Sequence, residues 1–199
     1  MQSYAANDFE NAQNWVEKAL ALDNKSEIAR NVLGIVQMAR GDHQTSRETF
    51  QQLLETEAAK EPGLRYTLLN NIAYLDALLH DPTLLSEADQ FSEEALKHLP
   101  WVPAVVGTRG TVLVELGKLE EGIPLLKKSM SLHTDKQGKA INACHVALAE
   151  LRCGNLDEAR KYLVSAKTLD PDCFLIPETE TQMASKTMDD RSQTMIHSL

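Results

Sequence analysis

A small residue, a larger one four positions on and a further small or aliphatic one seven positions on recur five times along the chain. The sets are Ala12, Val16, Ala19; Ser46, Phe50, Leu53; Ala88, Ser92, Ala95; Gly122, Leu126, Ser129; and Ala159, Leu163, Ala166. Offsets of four and seven fall on one face of an α-helix, so each set predicts an amphipathic helix with a narrow packing seam. Small side chains in that seam let a neighbouring backbone come close, and the larger one fills the gap beside it. Twelve positions before three of the sets stands another small residue: Gly34 before Ser46, Gly110 before Gly122 and Ala147 before Ala159. Between each pair lies a helix-breaking dipeptide, Gly41-Asp42, Gly117-Lys118 or Gly154-Asn155. That arrangement predicts two antiparallel helices joined by a tight turn.

The first small residues, Ala12, Ser46, Ala88, Gly122 and Ala159, are 34, 42, 34 and 37 positions apart, which gives a basic period of 34. The excess falls only in connections: five residues within 59–65, three within 80–84 and three within 135–139. A stack of helical hairpins tolerates insertions there. Pro100 and Pro171 stop their helices, and Pro103 opens the next at a tolerated first-turn position.

This recurrence resembles the tetratricopeptide repeat family over about residues 4–171, as one partial and four complete repeats. The resemblance implies an all-α, right-handed superhelical solenoid of antiparallel hairpins, with repeats at about 1–25, 27–60, 64–100, 103–134 and 140–171. Residues 172–199 read as either a capping helix or a disordered tail. Two departures from the family pattern are expected to matter: Ser92 stands where a large residue is usual and loosens the third repeat, and Pro124 bends a second helix. The first repeat lacks most of its first helix, so the natural chain is expected to extend upstream, and an apolar face is left open to self-association.

The same resemblance implies a concave groove lined by the first helix of each hairpin. Its slots fall at Ile28, Asn31, Val32, Ile35 and Met38; Thr67, Asn70, Asn71, Tyr74 and Leu78; Ala104, Thr108, Thr111 and Glu115; and Ile141, His145, Leu148 and Arg152. The set is mostly apolar and neutral. Chaperone-binding members of the family grip a C-terminal carboxylate through Lys, Asn and Arg donors, a charge-assisted clamp. Here those slots hold Asn31, Ile35, Asn71, Ala104 and Thr108, of which only Asn71 matches. The expected partner is therefore an apolar protein segment with aliphatic or aromatic anchors, not an acidic C-terminus, and Asn70 and Asn71 are placed to hydrogen-bond its backbone. Val32, Ile35 and Leu148 could equally serve only to pack neighbouring helices.

Composition narrows the function classes further. The 199 residues carry a net charge of -9, so no general basic field attracts nucleic acid or an anionic membrane. No apolar run approaches the roughly 20 residues of a membrane span. Three cysteines, Cys144, Cys153 and Cys173, are too few and odd in number for a disulfide framework, and a cytoplasmic location is expected. Cys144 and Cys153 read as buried small residues. The six histidines are scattered, no nucleophile stands beside a base, and no cofactor or metal is expected. The runs Glu93-Glu94, Glu120-Glu121 and Lys127-Lys128 read as solvated faces. The reading is a non-catalytic protein-interaction scaffold. Its alternatives are a regulatory or docking appendage of a larger protein, membrane-bound or not, and a self-assembly module with homo-oligomer formation.

Overall fold

The computed structural model describes the backbone of residues 4–196 and the side chains of residues 10–188. Ten α-helices form among the described residues: α1 (Tyr4–Leu22), α2 (Glu27–Ala39), α3 (His43–Leu54), α4 (Pro62–Leu78), α5 (Leu85–His98), α6 (Pro103–Glu115), α7 (Leu119–Leu132), α8 (Lys136–Arg152), α9 (Leu156–Leu169) and α10 (Ile176–Ile196). A short 3-10 turn, Glu57–Lys60, stands between α3 and α4. The helices group into two compact bodies, Met1–Pro100 and Trp101–Leu199. In the N-terminal body α2 pairs with α3 and α4 with α5, while α3 packs on α4 and α1 on α2. In the C-terminal body α6 pairs with α7 and α8 with α9, α7 packs on α8, and α10 lies against α8 and α9.

Three hairpin turns are made alike. Gly41, Gly117 and Gly154 take φ of 84°, 76° and 80°, left-handed values that a side chain would strain. The next residue's N–H then reaches five residues back to a helical carbonyl: Asp42 to Gln37, Lys118 to Leu113 and Asn155 to Glu150, at 3.0, 2.8 and 2.9 Å. These bonds satisfy carbonyls that the helix end would otherwise orphan. The α4–α5 turn carries the three-residue insertion and has no glycine. His80 takes its left-handed position, at φ 51°, and Asp81 accepts from the Thr83 N–H at 2.9 Å.

The small-residue seams are direct helix contacts. A Cβ on Gly122 would sit 2.8 Å from the Gly110 carbonyl oxygen, so the α6 and α7 backbones touch there. A Cβ on Gly34 would strike the Phe50 ring, and Ser46 donates its hydroxyl to the Gly34 carbonyl at 2.7 Å. Phe50 and Leu53 then lie fully buried with Ala59, Leu68, Ile72 and Leu75 in the core of the N-terminal body. Ser92 is buried at its seam position, and Phe91 beside it packs partly buried on the same core. In the C-terminal body, Leu126 packs with Val114, Val146 and Ala149. Helix α7 runs through the exposed Pro124 without a break.

After Pro171 the chain turns and enters α10. Leu175, Ile176 and Thr179 are buried, and Lys167 of α9 bonds Glu180 of α10. His197 and the last residues lie outside the described part of the chain.

Candidate binding groove

On α2, Ile28, Val32 and Ile35 stand at positions i, i+4 and i+7 of one face. They are 81%, 38% and 43% exposed, a stripe of β-branched side chains held in water. Asn31 lies half-buried on the same face. On α4, Thr67, Asn70, Asn71 and Tyr74 form the corresponding stripe: Thr67 is exposed, Asn71 and Tyr74 half-buried, and Asn70 buried. Both helices pack on α3, which lies between them in sequence.

Polar satisfaction singles out two of these residues. Asn70 donates from Nδ2 to the Asn71 Oδ1 at 3.3 Å, and its own Oδ1 has no partner among the described residues. The Asn31 Oδ1 is likewise buried without a partner among the described residues. A buried amide oxygen left unbonded forfeits on the order of 1–3 kcal/mol, so each is an acceptor that a donor would satisfy. Both acceptors sit in first helices, at positions the sequence assigns to the groove.

The C-terminal body treats its slots differently. Thr108 and Thr111 are buried, and Thr111 gives its hydroxyl to the Gly107 carbonyl at 3.1 Å. His145 and Leu148 are also buried and Ile141 is half-buried. Helix α8 is buried without interruption from Asn142 to Leu151 because α6, α7, α9 and α10 all pack against it. Sequence periodicity gives no sign of this enclosure, since it depends on α10 folding back. Arg152 at the end of α8 is engaged too, donating to Glu115 at 2.7 Å and to the Val114 carbonyl at 3.0 Å.

A buried ionic cluster, unmarked by any sequence motif, crosses the N-terminal body. Arg47 of α3 donates to Asp76 of α4, and to Glu87 of α5 at 2.9 Å. Asp76 is fully enclosed, and its second carboxylate oxygen has no partner among the described residues. Burial pushes the Asp76 carboxyl up to about 6, against the hydrogen bond and charge of Arg47 that pull it down. A carboxyl whose folded pKa is raised contributes most stability below its unfolded value and loses that contribution as pH rises through the folded value. The chain is therefore expected to gain stability relative to an Asp76→Asn variant as pH falls from about 7 to 4. At 1.36 kcal/mol per pKa unit the gain is on the order of 2–3 kcal/mol. Urea unfolding of both proteins across that range checks it, and parallel curves would refute it.

The charge runs are partly engaged. Lys127 bridges to Glu150 of α8 at 3.1 Å and lies 5.3 Å over the Tyr162 ring, while Glu94 pairs with Arg65 at 3.4 Å. Cys153 is an exposed cap residue of α8, not the buried residue its spacing suggested, because the helix ends there. No cluster of three metal-ligating side chains occurs among the described residues, and none of their helices is long and apolar enough to cross a membrane.

Known structures decide the fold. A thermophilic TPR protein of Thermus thermophilus superposes with TM-score 0.67 at 21% identity, covering 93% of each chain. The fold is that of the tetratricopeptide-repeat proteins. YrrB, a TPR protein with an unusual peptide-binding site, aligns with TM-score 0.51 at 19% identity over 89% of this chain and 86% of its own. Pseudomonas aeruginosa PilF aligns with TM-score 0.52 at 19% identity over 93% and 84%. No family model and no curated protein sequence matches the chain. In this tetratricopeptide fold the hairpins are α2–α3, α4–α5, α6–α7 and α8–α9, with α1 before them and α10 after.

Proposed function

We propose that the protein is a binding scaffold whose N-terminal body holds a segment of another protein along the stripes of α2 and α4. The observation that carries the proposal is the pair of buried, unpartnered amide oxygens, Asn31 Oδ1 and Asn70 Oδ1, beside the exposed Ile28, Val32 and Ile35. An apolar stripe supplies non-directional affinity, and amide acceptors read a backbone or side-chain N–H. Tyr74 adds a large ring with a polar tip, a side chain suited to binding surfaces. Slots Thr108, Thr111, Ile141 and His145 are left out of the groove, since among the described residues α6 and α8 carry no exposed large apolar side chain like those of α2.

Charge defines the partner's chemistry. The N-terminal body holds sixteen acidic and eight basic residues, a net charge of -8, whereas the C-terminal body is at -1. Several of those cations are already matched, Arg47 by Asp76 and Glu87, Lys60 by Glu57 and Arg65 by Glu94. A negative surface that offers acceptors favours a partner that brings donors and positive charge. The ligand is thus an aliphatic or aromatic segment flanked by Lys or Arg, the reverse of the acidic tail a carboxylate clamp would hold. The closeness of the fold to YrrB, a protein with a peptide-binding site, is consistent with a peptide ligand.

The test is selection from a random-peptide display library on the intact chain, followed by titration of the enriched peptides. Apolar anchors flanked by Lys or Arg should be enriched. Ile35→Glu and Tyr74→Glu should each weaken their binding at least about tenfold, roughly 1.4 kcal/mol, with helicity unchanged. Enrichment of acidic C-termini, no enrichment, or full binding by both variants would each overturn the proposal. So would a concentration-dependent dimer that Ile35→Glu dissolves, because a second copy would then occupy the stripe.

A further inference from the structure

Where α10 folds back along α8, the two helices leave a cavity of about 370 Å³ between them, at the small end of the roughly 300–1,000 Å³ of ligand pockets. Leu151 and Arg152 line it from the last turn of α8, and Thr181, Gln182, Ser185 and Lys186 from α10. On α10, Thr181 with Ser185 and Gln182 with Lys186 stand four positions apart, so the four share one helical face. Every lining side chain except Leu151 ends in a polar or charged group, and two of those groups are cations. Among the described residues no carboxylate lines the cavity, although the chain as a whole carries a net charge of -9.

The donors are held in place by the fold. Arg152 donates to the Val114 carbonyl at 3.0 Å and to Glu115 at 2.7 Å, which engages two of the five N–H groups of a guanidinium. Gln182 is oriented by its bond to Glu178 at 2.8 Å. Glu115 and Glu178, the carboxylates bonded to the lining, are thus each engaged by a side-chain donor, and Lys186 adds a second positive charge to the one that Glu115 offsets. The exposed hydroxyls of Thr181 and Ser185 donate to the Pro177 and Thr181 carbonyls one turn back, at 2.8 and 3.1 Å. A hydroxyl hydrogen rotates to suit a new acceptor.

We propose that this cleft binds a phosphate group, free or carried by a small molecule. A phosphate monoester brings about 1.5 to 2 negative charges and three strong acceptor oxygens at neutral pH. A carboxylate offers two oxygens and one charge, too few to engage Arg152, Lys186 and both hydroxyls at once. The guanidinium supplies a planar fork matched to phosphate oxygens, and the Lys186 ammonium a mobile point charge. The bound group ties the end of α8 to α10. The site belongs to the C-terminal body and is independent of the stripes on α2 and α4.

The experiment titrates the isotope-labelled full chain with inorganic phosphate, glycerol phosphate and succinate at about 0.15 M ionic strength, following amide resonances by NMR. Saturable shifts are expected at Leu151, Arg152 and residues 181–186, with a Kd of about 1 mM or tighter for at least one phosphate and at least about tenfold weaker binding of succinate. Tighter binding of glycerol phosphate identifies a phosphorylated small molecule as the ligand, and equal or tighter binding of inorganic phosphate identifies free phosphate. Lys186→Gln, at an exposed position, should weaken binding at least about tenfold, and Ser185→Asp, which sets a carboxylate in the cleft, should abolish it, with helicity unchanged in both. No saturation by either phosphate, succinate binding as tightly as phosphate, shifts centred elsewhere, or full binding by either variant would each overturn the proposal.

Discussion

Replacing Phe50 with alanine is expected to destabilise the N-terminal body by about 3–5 kcal/mol, the range for emptying a fully buried aromatic site. The ring is enclosed by Leu53, Ala59, Leu68, Ile72 and Leu75 and seated over Gly34, where an added Cβ would collide with it. These neighbours come from α2, α3, the 3-10 turn and α4, so the cavity would open between two hairpins that cannot both collapse into it. Urea unfolding followed by hydrogen exchange should show a lower midpoint with early exposure of α2 to α4. Leu22→Ala, at a site almost fully exposed, should stay within about 0.5 kcal/mol. Equal effects from the two substitutions would mean that Phe50 is not the keystone of this core.

Arg47→Met is expected to be as damaging by a different route. It takes away the only cation bonded to Asp76 among the described residues and leaves a buried carboxylate uncompensated. Breaking a buried pair from one side costs about 3–5 kcal/mol, whereas replacing both partners by apolar groups is often neutral. Arg47→Met should therefore be strongly destabilising near pH 7.5, and Arg47→Met with Asp76→Leu should recover most of the loss. Without the hydrogen bond and charge of Arg47, which pull its pKa down, Asp76 in the single variant takes up its proton at a higher pH than in the parent chain, so the deficit should shrink as pH falls toward about 6 and level off below it. A deficit independent of pH would show that lost packing of the Arg47 stem, and not the stranded charge, is responsible.

What sequence could reveal about this molecule was whatever is local. Gly41, Gly117 and Gly154 mark turns because their left-handed φ is decided within a few residues. The spacing of Gly34 to Ser46 and Gly110 to Gly122 marks hairpins because close approach demands small residues on both helices. The open stripe on α2 also follows from helical spacing. The rest depends on how distant elements meet. Arg47, Asp76 and Glu87 come from three helices, and their register is set partly by the insertion near His80. His145 and Leu148 are enclosed together with the rest of α8, whose neighbours include the returning α10. Long-range packing of this kind has no periodic signature in the chain.

The central claim is that a partner segment lies on α2 and α4, and amide hydrogen exchange of the chain with and without a selected cationic, apolar-anchored peptide tests it most directly. Protection is predicted over Glu27–Ala39 and Pro62–Leu78, with α6 and α8 unchanged. Protection confined to α6 and α8, or to α3, α5, α7 and α9, would contradict the assignment and place the binding surface elsewhere on the fold.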